Sequence, residues 1–291
     1  MESGELSKHY TLRQRIFRSR TWRLPATAVG FGLFGVGAAL ASISIFPLIY
    51  PLPIRQRTKE AFTRKFIAFI FRNYLRILRM LGLLSYELYN VKQLHQPNQL
   101  IIVNHPSLLD VVFLIALTGD TSCIVKGSLW RNPFTAMGVR TANYISNNDS
   151  DLFQRCVSTL TQGNSLIIFP EGTRTKPGEE LKFHRGPSNI ALSSGKAITP
   201  VVISCKPATL LKNQQWYEIS AEPPHYTIRV MPAFCVAKYM AEGQLQSTAA
   251  RQLTRDLISY FTLHTQNADV ANLSVGEFGP TTLLQNPARS K

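Results

Sequence analysis

Residues 24–54 carry no charged side chain. A helix rises ~1.5 Å per residue, so about 20 apolar residues cross a ~30 Å hydrocarbon core. The run is long enough to be embedded in a membrane, and few soluble folds place such a segment near their start. Arginines flank it on both sides: Arg13, Arg15, Arg18, Arg20 and Arg23 before, Arg55, Arg57, Lys59, Arg64 and Lys65 after. Matched flanks give no orientation by the positive-inside rule. They also suit a segment that enters and leaves by one face, with Pro47, Pro51 and Pro53 able to break the helix at the turn. Span and re-entrant hairpin both stay open. A cleavable signal peptide is the competing reading, suggested by the basic start and the triplet Ala39-Leu40-Ala41. It conflicts with apolar sequence that continues to Ile54. Gly30, Gly32 and Gly35 spell G-x-G-x-x-G, but no strand precedes them, so a dinucleotide site is not indicated.

The charge follows the same division. The 291 residues hold 32 Lys+Arg against 17 Asp+Glu, a net of +15, and residues 1–92 hold 15 of the basic and only 4 of the acidic side chains. The excess therefore flanks the lipid-soluble run and points to an anionic membrane surface, not to nucleic acid. Residues 55–84 read as a basic amphipathic helix. Arg57, Arg64, Lys65, Arg72, Arg76 and Arg79 recur at helical spacing, and Phe62, Phe66, Phe69, Tyr74 and Leu78 fill the other faces. Its basic face lies either on the membrane surface or in solvent, with the helix packed on a globular domain. A 45% hydrophobic content excludes a disordered chain. The four cysteines are far apart, without a C-x-x-C pair, which suits a reducing compartment and neither a zinc site nor a disulfide framework.

Beyond residue 85 short apolar runs alternate with helical stretches. Strands are expected at 100–103, 122–125, 142–145, 165–169, 198–205 and 226–231, and helices at 107–117, 129–139, 149–161, 187–194 and 248–264. This alternation predicts an α/β fold, a mostly parallel sheet covered by helices, preceded by an N-terminal membrane-embedded helical segment. The organisation is a basic segment 1–23, the membrane-embedded segment 24–54, the basic helix 55–84, the α/β domain 85–265 and an irregular tail 266–291.

Ligands of open parallel sheets bind beyond the carboxyl ends of the strands. Four polar clusters directly follow or closely trail strands: Asn104-His105-Pro106-Ser107-Leu108-Leu109-Asp110, then Lys126, then Asn147-Asn148, then Pro170-Glu171-Gly172-Thr173-Arg174. Parallel neighbours would bring all four to one edge. His105 precedes a helix with Ser107 as its expected N-cap. Asp110 lies one turn in, leaning back toward the imidazole. A carboxylate on one ring nitrogen fixes the tautomer and leaves the other nitrogen as a base. The same Ser107-x-x-Asp110 spacing is also an ordinary capping box. Arg174 can grip a phosphate bidentately, Gly172 permits close backbone approach, and Glu171 can orient Arg174 or a substrate hydroxyl. Lys126 is either a second phosphate contact or a solvated lysine.

The pair Asn104-His105-(four residues)-Asp110 and Phe169-Pro170-Glu171-Gly172-Thr173-Arg174, in this order and about sixty residues apart, resembles the glycerolipid acyltransferase family. Within it, the pair is most similar to 1-acylglycerol-3-phosphate (lysophospholipid) acyltransferases. The resemblance covers roughly residues 85–235. It implies a catalytic His105 as general base with Asp110 as its partner. It implies acceptor binding by Glu171, Gly172, Thr173 and Arg174, with Lys126 and Asn104 as further substrate-binding candidates. It implies no cofactor and no metal, an acyl-CoA or acyl carrier protein thioester as co-substrate, and membrane lipid as partner. It also implies a bacterial inner-membrane location with the catalytic domain on the cytoplasmic face. In one place the chain departs from the pattern. The family's middle block often ends in an arginine, whereas 144–148 here reads Tyr-Ile-Ser-Asn-Asn, with Arg140 earlier. The acceptor is therefore open between 1-acylglycerol-3-phosphate and another hydroxylated lipid. A non-catalytic lipid-binding tether that kept the fold is the alternative to an enzyme.

Overall fold

A computed structural model describes residues 16–240 and 245–270. Its centre is a seven-stranded sheet: β1 (Ser85–Tyr89), β2 (Leu100–Val103), β3 (Thr121–Val125), β4 (Ile145–Ser146), β5 (Ser165–Ile168), β6 (Ile198–Lys206) and β7 (His225–Val230). The spatial order is β1-β7-β6-β2-β5-β3-β4. All pairs are parallel except β6 with β7, which is antiparallel. The expected α/β class, mostly parallel and helix-covered, is the one observed.

The central strands are buried on both faces, so they read as unbroken apolar runs. In β2, Ile101 and Val103 point into one core with Phe113, Leu114 and Val201. Leu100 and Ile102 point into the other, with Leu160, Ala191, Leu253 and Phe261. The pleat thus divides a four-residue strand between two cores. Helix α3 (Asp110–Thr118) lies over the first core. Helices α5 (Leu152–Thr161), α6 (Gly186–Ser194) and α7 (Gln246–Val270) cover the second.

Three local expectations are corrected. The strand expected at 142–145 shrinks to β4, because 142–144 close the short helix α4 (Ala136–Thr141). Asn143 is left-handed at φ 54 and Tyr144 N–H reaches Val139 O at 3.0 Å, a Schellman-type end. The helix expected at 129–139 is split, since Pro133 separates the 3-10 turn Gly127–Trp130 from α4. The long final helix continues to Val270, past the expected start of the tail; the rest of that tail, like residues 1–15, lies outside the described residues.

Among the described residues one helix, α1 (Arg20–Ile49), is long and apolar enough to cross a membrane. It widens to a π turn at Ala41–Ile45 just before Pro47, whose missing N–H and bulky ring disfavour regular α geometry. Two further prolines, Pro51 and Pro53, end the helix, and α2 (Gln56–Met80) follows. Phe34 packs on Tyr74 with ring centroids 5.4 Å apart, and Phe46 packs on Phe66 at 6.1 Å. Both ends of α1 are fastened to the globular part. Buried Arg23 donates to the carbonyls of Ser220, Ala221 and Glu222 at 2.9, 3.0 and 3.2 Å. At the other end Ser42 Oγ donates to Phe134 O at 2.5 Å. Phe46 sits where a Cβ on Gly138 would come within 2.8 Å.

The basic stripe of α2 divides: Arg57, Lys65 and Arg79 are exposed, as expected of a face on lipid or in solvent, whereas Arg64 is turned inward. Arg64 is only 4% exposed. It pairs with Asp120 at 2.6 Å and Glu60 at 3.6 Å and reaches Ala142 O at 3.3 Å. Arg72 donates to Ala116 O at 3.1 Å, Arg57 to Gln162 O at 2.6 Å, and Arg79 lies 4.9 Å over the Tyr86 ring. The outward face carries Phe62, Phe69, Ile77 and Met80 beside Lys65. A guanidinium presents five donors on a long stem, so it suits joining a helix to backbone carbonyls and carboxylates. Removing Arg64 leaves two carboxylates without their shared cation. Arg64→Ala is expected to cost about 3 kcal/mol of unfolding free energy, whereas Lys65→Ala costs under about 0.5 kcal/mol. Chemical denaturation of the detergent-solubilised protein measures both, and equal small losses would contradict the inward role of Arg64.

Candidate active site

Strands β2, β5, β3 and β4 are adjacent and parallel. Their carboxyl ends therefore bring the four polar clusters to one edge, as the alternation predicted.

His105 follows β2 directly. Its Nδ1 lies 2.9 Å from Asp110 Oδ2, and the same oxygen accepts Ser107 N–H at 2.7 Å. One carboxylate makes both contacts that this spacing allows, to the imidazole and to the Ser107 N–H. Helix α3 starts at Asp110, three residues after the expected cap. The Ser107 hydroxyl takes Leu109 N–H at 3.3 Å. The imidazole is 15% exposed while the Asp110 side chain is fully covered. With Nδ1 on the carboxylate, Nε2 makes no hydrogen bond among the described residues, and the Phe169 ring lies against the imidazole at 4.5 Å.

The backbone of His105 is gripped by the second motif. Its N–H donates to Glu171 Oε1 at 2.8 Å, and its carbonyl accepts Thr175 N–H at 3.1 Å. Thr175 Oγ1 in turn donates to Glu171 Oε2. Glu171, expected to orient Arg174 or a substrate hydroxyl, thus ties the loop after β5 to the loop after β2. Asn104, expected as a substrate contact, is buried. Its Nδ2 donates to Ile203 O at 2.8 Å and its Oδ1 accepts Ile203 N–H at 2.7 Å, so it extends the β2–β6 pairing by one side-chain rung.

Gly172 occupies a left-handed conformation at φ 66, and a Cβ there would meet His184 Nε2 at 3.1 Å. The left-handed backbone favours glycine, and the exposed His184 ring would have to give way by a few tenths of an ångström to a Cβ. Arg174 Nη1 donates to the carbonyls of Leu210 and Leu211 at 2.6 and 3.0 Å, holding one end of the 207–224 excursion whose other end receives Arg23. Its Nη2 makes no hydrogen bond among the described residues. Thr173 and Lys126 are exposed, and neither joins the hydrogen-bonded cluster around His105. Asn147 Oδ1 accepts Gly127 N–H at 2.8 Å and closes the neighbouring β3–β4 end. Thr175 escaped the sequence reading, which held Phe169 only as a motif position and Ser107 only as a helix cap. Their residue types are common, and only the fold shows what they touch.

Burial pushes the Asp110 carboxyl above its ordinary value, opposed by the hydrogen bonds of His105 and Ser107 and by the Arg174 charge. Burial likewise raises Glu171, opposed by Thr175 and the His105 N–H. A carboxyl raised in the fold contributes stability below its ordinary value and loses it as pH rises through the raised one. Removing either acid therefore becomes less costly at higher pH. Between about pH 4 and pH 7, the difference in Tm between Asp110→Asn (or Glu171→Gln) and the unsubstituted chain is expected to shift in the variant's favour. Thermal unfolding at the two pH values measures this, and a difference independent of pH would contradict it.

Residues 85–204 match a family model described as Acyltransferase. The chain is 36% identical over 113 residues to the 1-acyl-sn-glycerol-3-phosphate acyltransferase of Helicobacter pylori, covering 36% of this chain and 48% of that one. It is 31% identical over 108 residues to a chloroplastic 1-acyl-sn-glycerol-3-phosphate acyltransferase of Arabidopsis thaliana, covering 35% and 30%. The chain thus spans about half or less of the length of these curated relatives. The crystal structure of the 1-acyl-sn-glycerophosphate (LPA) acyltransferase PlsC from Thermotoga maritima shares the fold. Its TM-score is 0.62 at 17% identity, covering 83% of this chain and 97% of that one. The match to the family model encloses the His105–Asp110 turn and the Glu171–Arg174 loop, so residues 85–204, which hold both, are similar to the acyltransferase family.

Proposed function

We propose that this protein transfers an acyl chain from a thioester, on coenzyme A or acyl carrier protein, to the hydroxyl of a lysophospholipid such as 1-acylglycerol-3-phosphate. One observation carries the reading: His105 has Nδ1 on a buried carboxylate, its backbone clamped on both sides, and Nε2 open at the edge of the sheet. Nε2 takes the acceptor hydroxyl proton as the oxygen attacks the thioester carbonyl. A C–O bond forms, a tetrahedral oxyanion follows, and its collapse breaks the C–S bond. The imidazolium, stabilised by Asp110, returns the proton to the leaving thiolate. No acyl-enzyme is involved. The acceptor phosphate lies toward Arg174, whose Nη2 is unengaged, with Lys126 as the second cation. This reading rests also on the names of the relatives, which act on 1-acyl-sn-glycerol-3-phosphate.

The protein works as a monotopic membrane enzyme, with α1 lying in one leaflet instead of crossing it. Its 30 residues span about 45 Å, yet both ends are fastened to one globular body. Its outer side chains are left open, with Ile43 and Leu48 each 72% exposed and Phe62, Phe69 and Met80 of α2 exposed beside them. The location proposed is a bacterial inner membrane, with the sheet edge on the cytoplasmic side.

Free thiol released from acyl-CoA or acyl carrier protein, across a panel of lysolipids, tests the activity. Release is expected to depend on an acceptor bearing a phosphate; release with none of them would overturn the reading in favour of a lipid tether. In the same assay Arg174→Ala should raise the acceptor KM at least tenfold and the donor KM little, whereas equal shifts would remove its phosphate role. Replacing both Ile43 and Leu48 by glutamate is expected to weaken vesicle co-sedimentation at least tenfold with Tm retained. Unchanged sedimentation would place the membrane face elsewhere.

A further inference from the structure

The dyad is supported from a strand that takes no direct part in it. Tyr226 lies on β7, fully buried, 119 residues from Ser107, and its Oη is 2.8 Å from Ser107 Oγ. Either hydroxyl can donate across this contact. The Pro207 carbonyl can only accept, so Cys205 Sγ, 3.7 Å away, donates to it. Burial pushes the Cys205 thiol up to about 12, which keeps its proton in place. The Tyr226 hydroxyl also interacts with the Cys205 side chain. Ser107 Oγ accepts Leu109 N–H. The series thus runs from Leu109 through Ser107 and Tyr226 toward Cys205 and Pro207. Ser107 is also the residue whose backbone N–H, at 2.7 Å, holds the Asp110 oxygen that faces His105.

We propose that Tyr226 is a positioning residue of the active site: through Ser107, its hydroxyl fixes the 105–110 turn that aims Asp110 at His105. The inference rests on the acyl-transfer reading of that site. The charged groups that act on the His105–Asp110 pair are Asp110 itself, Glu171 on the His105 N–H and Arg174 on Asp110, with the Phe169 ring beside the imidazole, and among the described residues Tyr226 hydrogen-bonds to none of them. Its ring packs on Phe113 with centroids 4.9 Å apart, a contact that phenylalanine keeps.

The experiment compares the full chain in detergent with Tyr226→Phe, Ser107→Ala and the double variant. Three quantities are read: kcat and KM from thiol release, Tm, and the downfield proton resonance of the His105 Nδ1–H. Each single variant is expected to lower kcat about tenfold, the scale of lost outer hydrogen bonds, with both KM values within about twofold. The double variant should lose no more than the single ones, because the two side chains act as one unit. The resonance should move or broaden in all three. An unchanged kcat and resonance in Tyr226→Phe would overturn the proposal, and so would additive losses with an unmoved resonance. If the unsubstituted protein releases no thiol, the acyl-transfer reading fails, and the resonance still decides whether Tyr226 positions the dyad.

Discussion

The site depends on the clamp that Glu171 and Thr175 place on the backbone of His105. A histidine in a loop is a poor base, because its ring wanders and its tautomer is unset. Here the N–H and the C=O of His105 are both held by the loop that follows β5. The clamp exists only because β2 and β5 are adjacent and parallel, which puts their carboxyl ends side by side. Its cost is the burial of Glu171, whose desolvation is offset by two hydrogen bonds and a neighbouring imidazole. Asp110 shows the same balance. Both acids sit where burial disfavours their charge, a pattern found at functional sites and in structural ion-pair networks alike.

The N-terminal layer follows from a second constraint, which is that arginines need acceptors. Arg64 and Arg72 reach carbonyls and carboxylates of the α/β domain from one side of α2, and Arg23 does so from α1. These three cations reach inward, while Phe62, Phe69, Ile77 and Met80 stay on the outer face. The exposed faces of both helices are consequently oily, although the segment holds most of the chain's positive excess. The 207–224 excursion joins this layer to the site, since Arg23 grips its end and Arg174 its beginning.

What could be read from the residues alone depended on how local its cause was. Strand β2 is four consecutive apolar residues between polar neighbours, and its expected and observed bounds coincide. The two motifs and their order were legible for the same reason, as was the edge they share, since strand–helix alternation implies parallel neighbours. Residues 142–144 misled because Ala-Asn-Tyr beside Ile145 resembles a strand, while the left-handed turn at Asn143 follows from its own helix end. Strand β1 was missed because Tyr86 and Leu88 give only two buried alternations, and the antiparallel turn of β7 leaves no mark in its own six residues. Arg64, Glu171 and Tyr226 all act on partners more than 55 positions away. Composition and period carry no information at that range.

The central claim is that Nε2 of His105 moves the acceptor's proton. His105→Gln keeps a side chain of similar reach but no base, and the Glu171–Thr175 clamp holds only its backbone. Thiol release with lysophosphatidic acid, measured beside the unfolding midpoint, is therefore the most direct test. A fall of at least 10² in kcat with the midpoint retained is predicted. Release within a few-fold of the unsubstituted rate would contradict the assignment of the base.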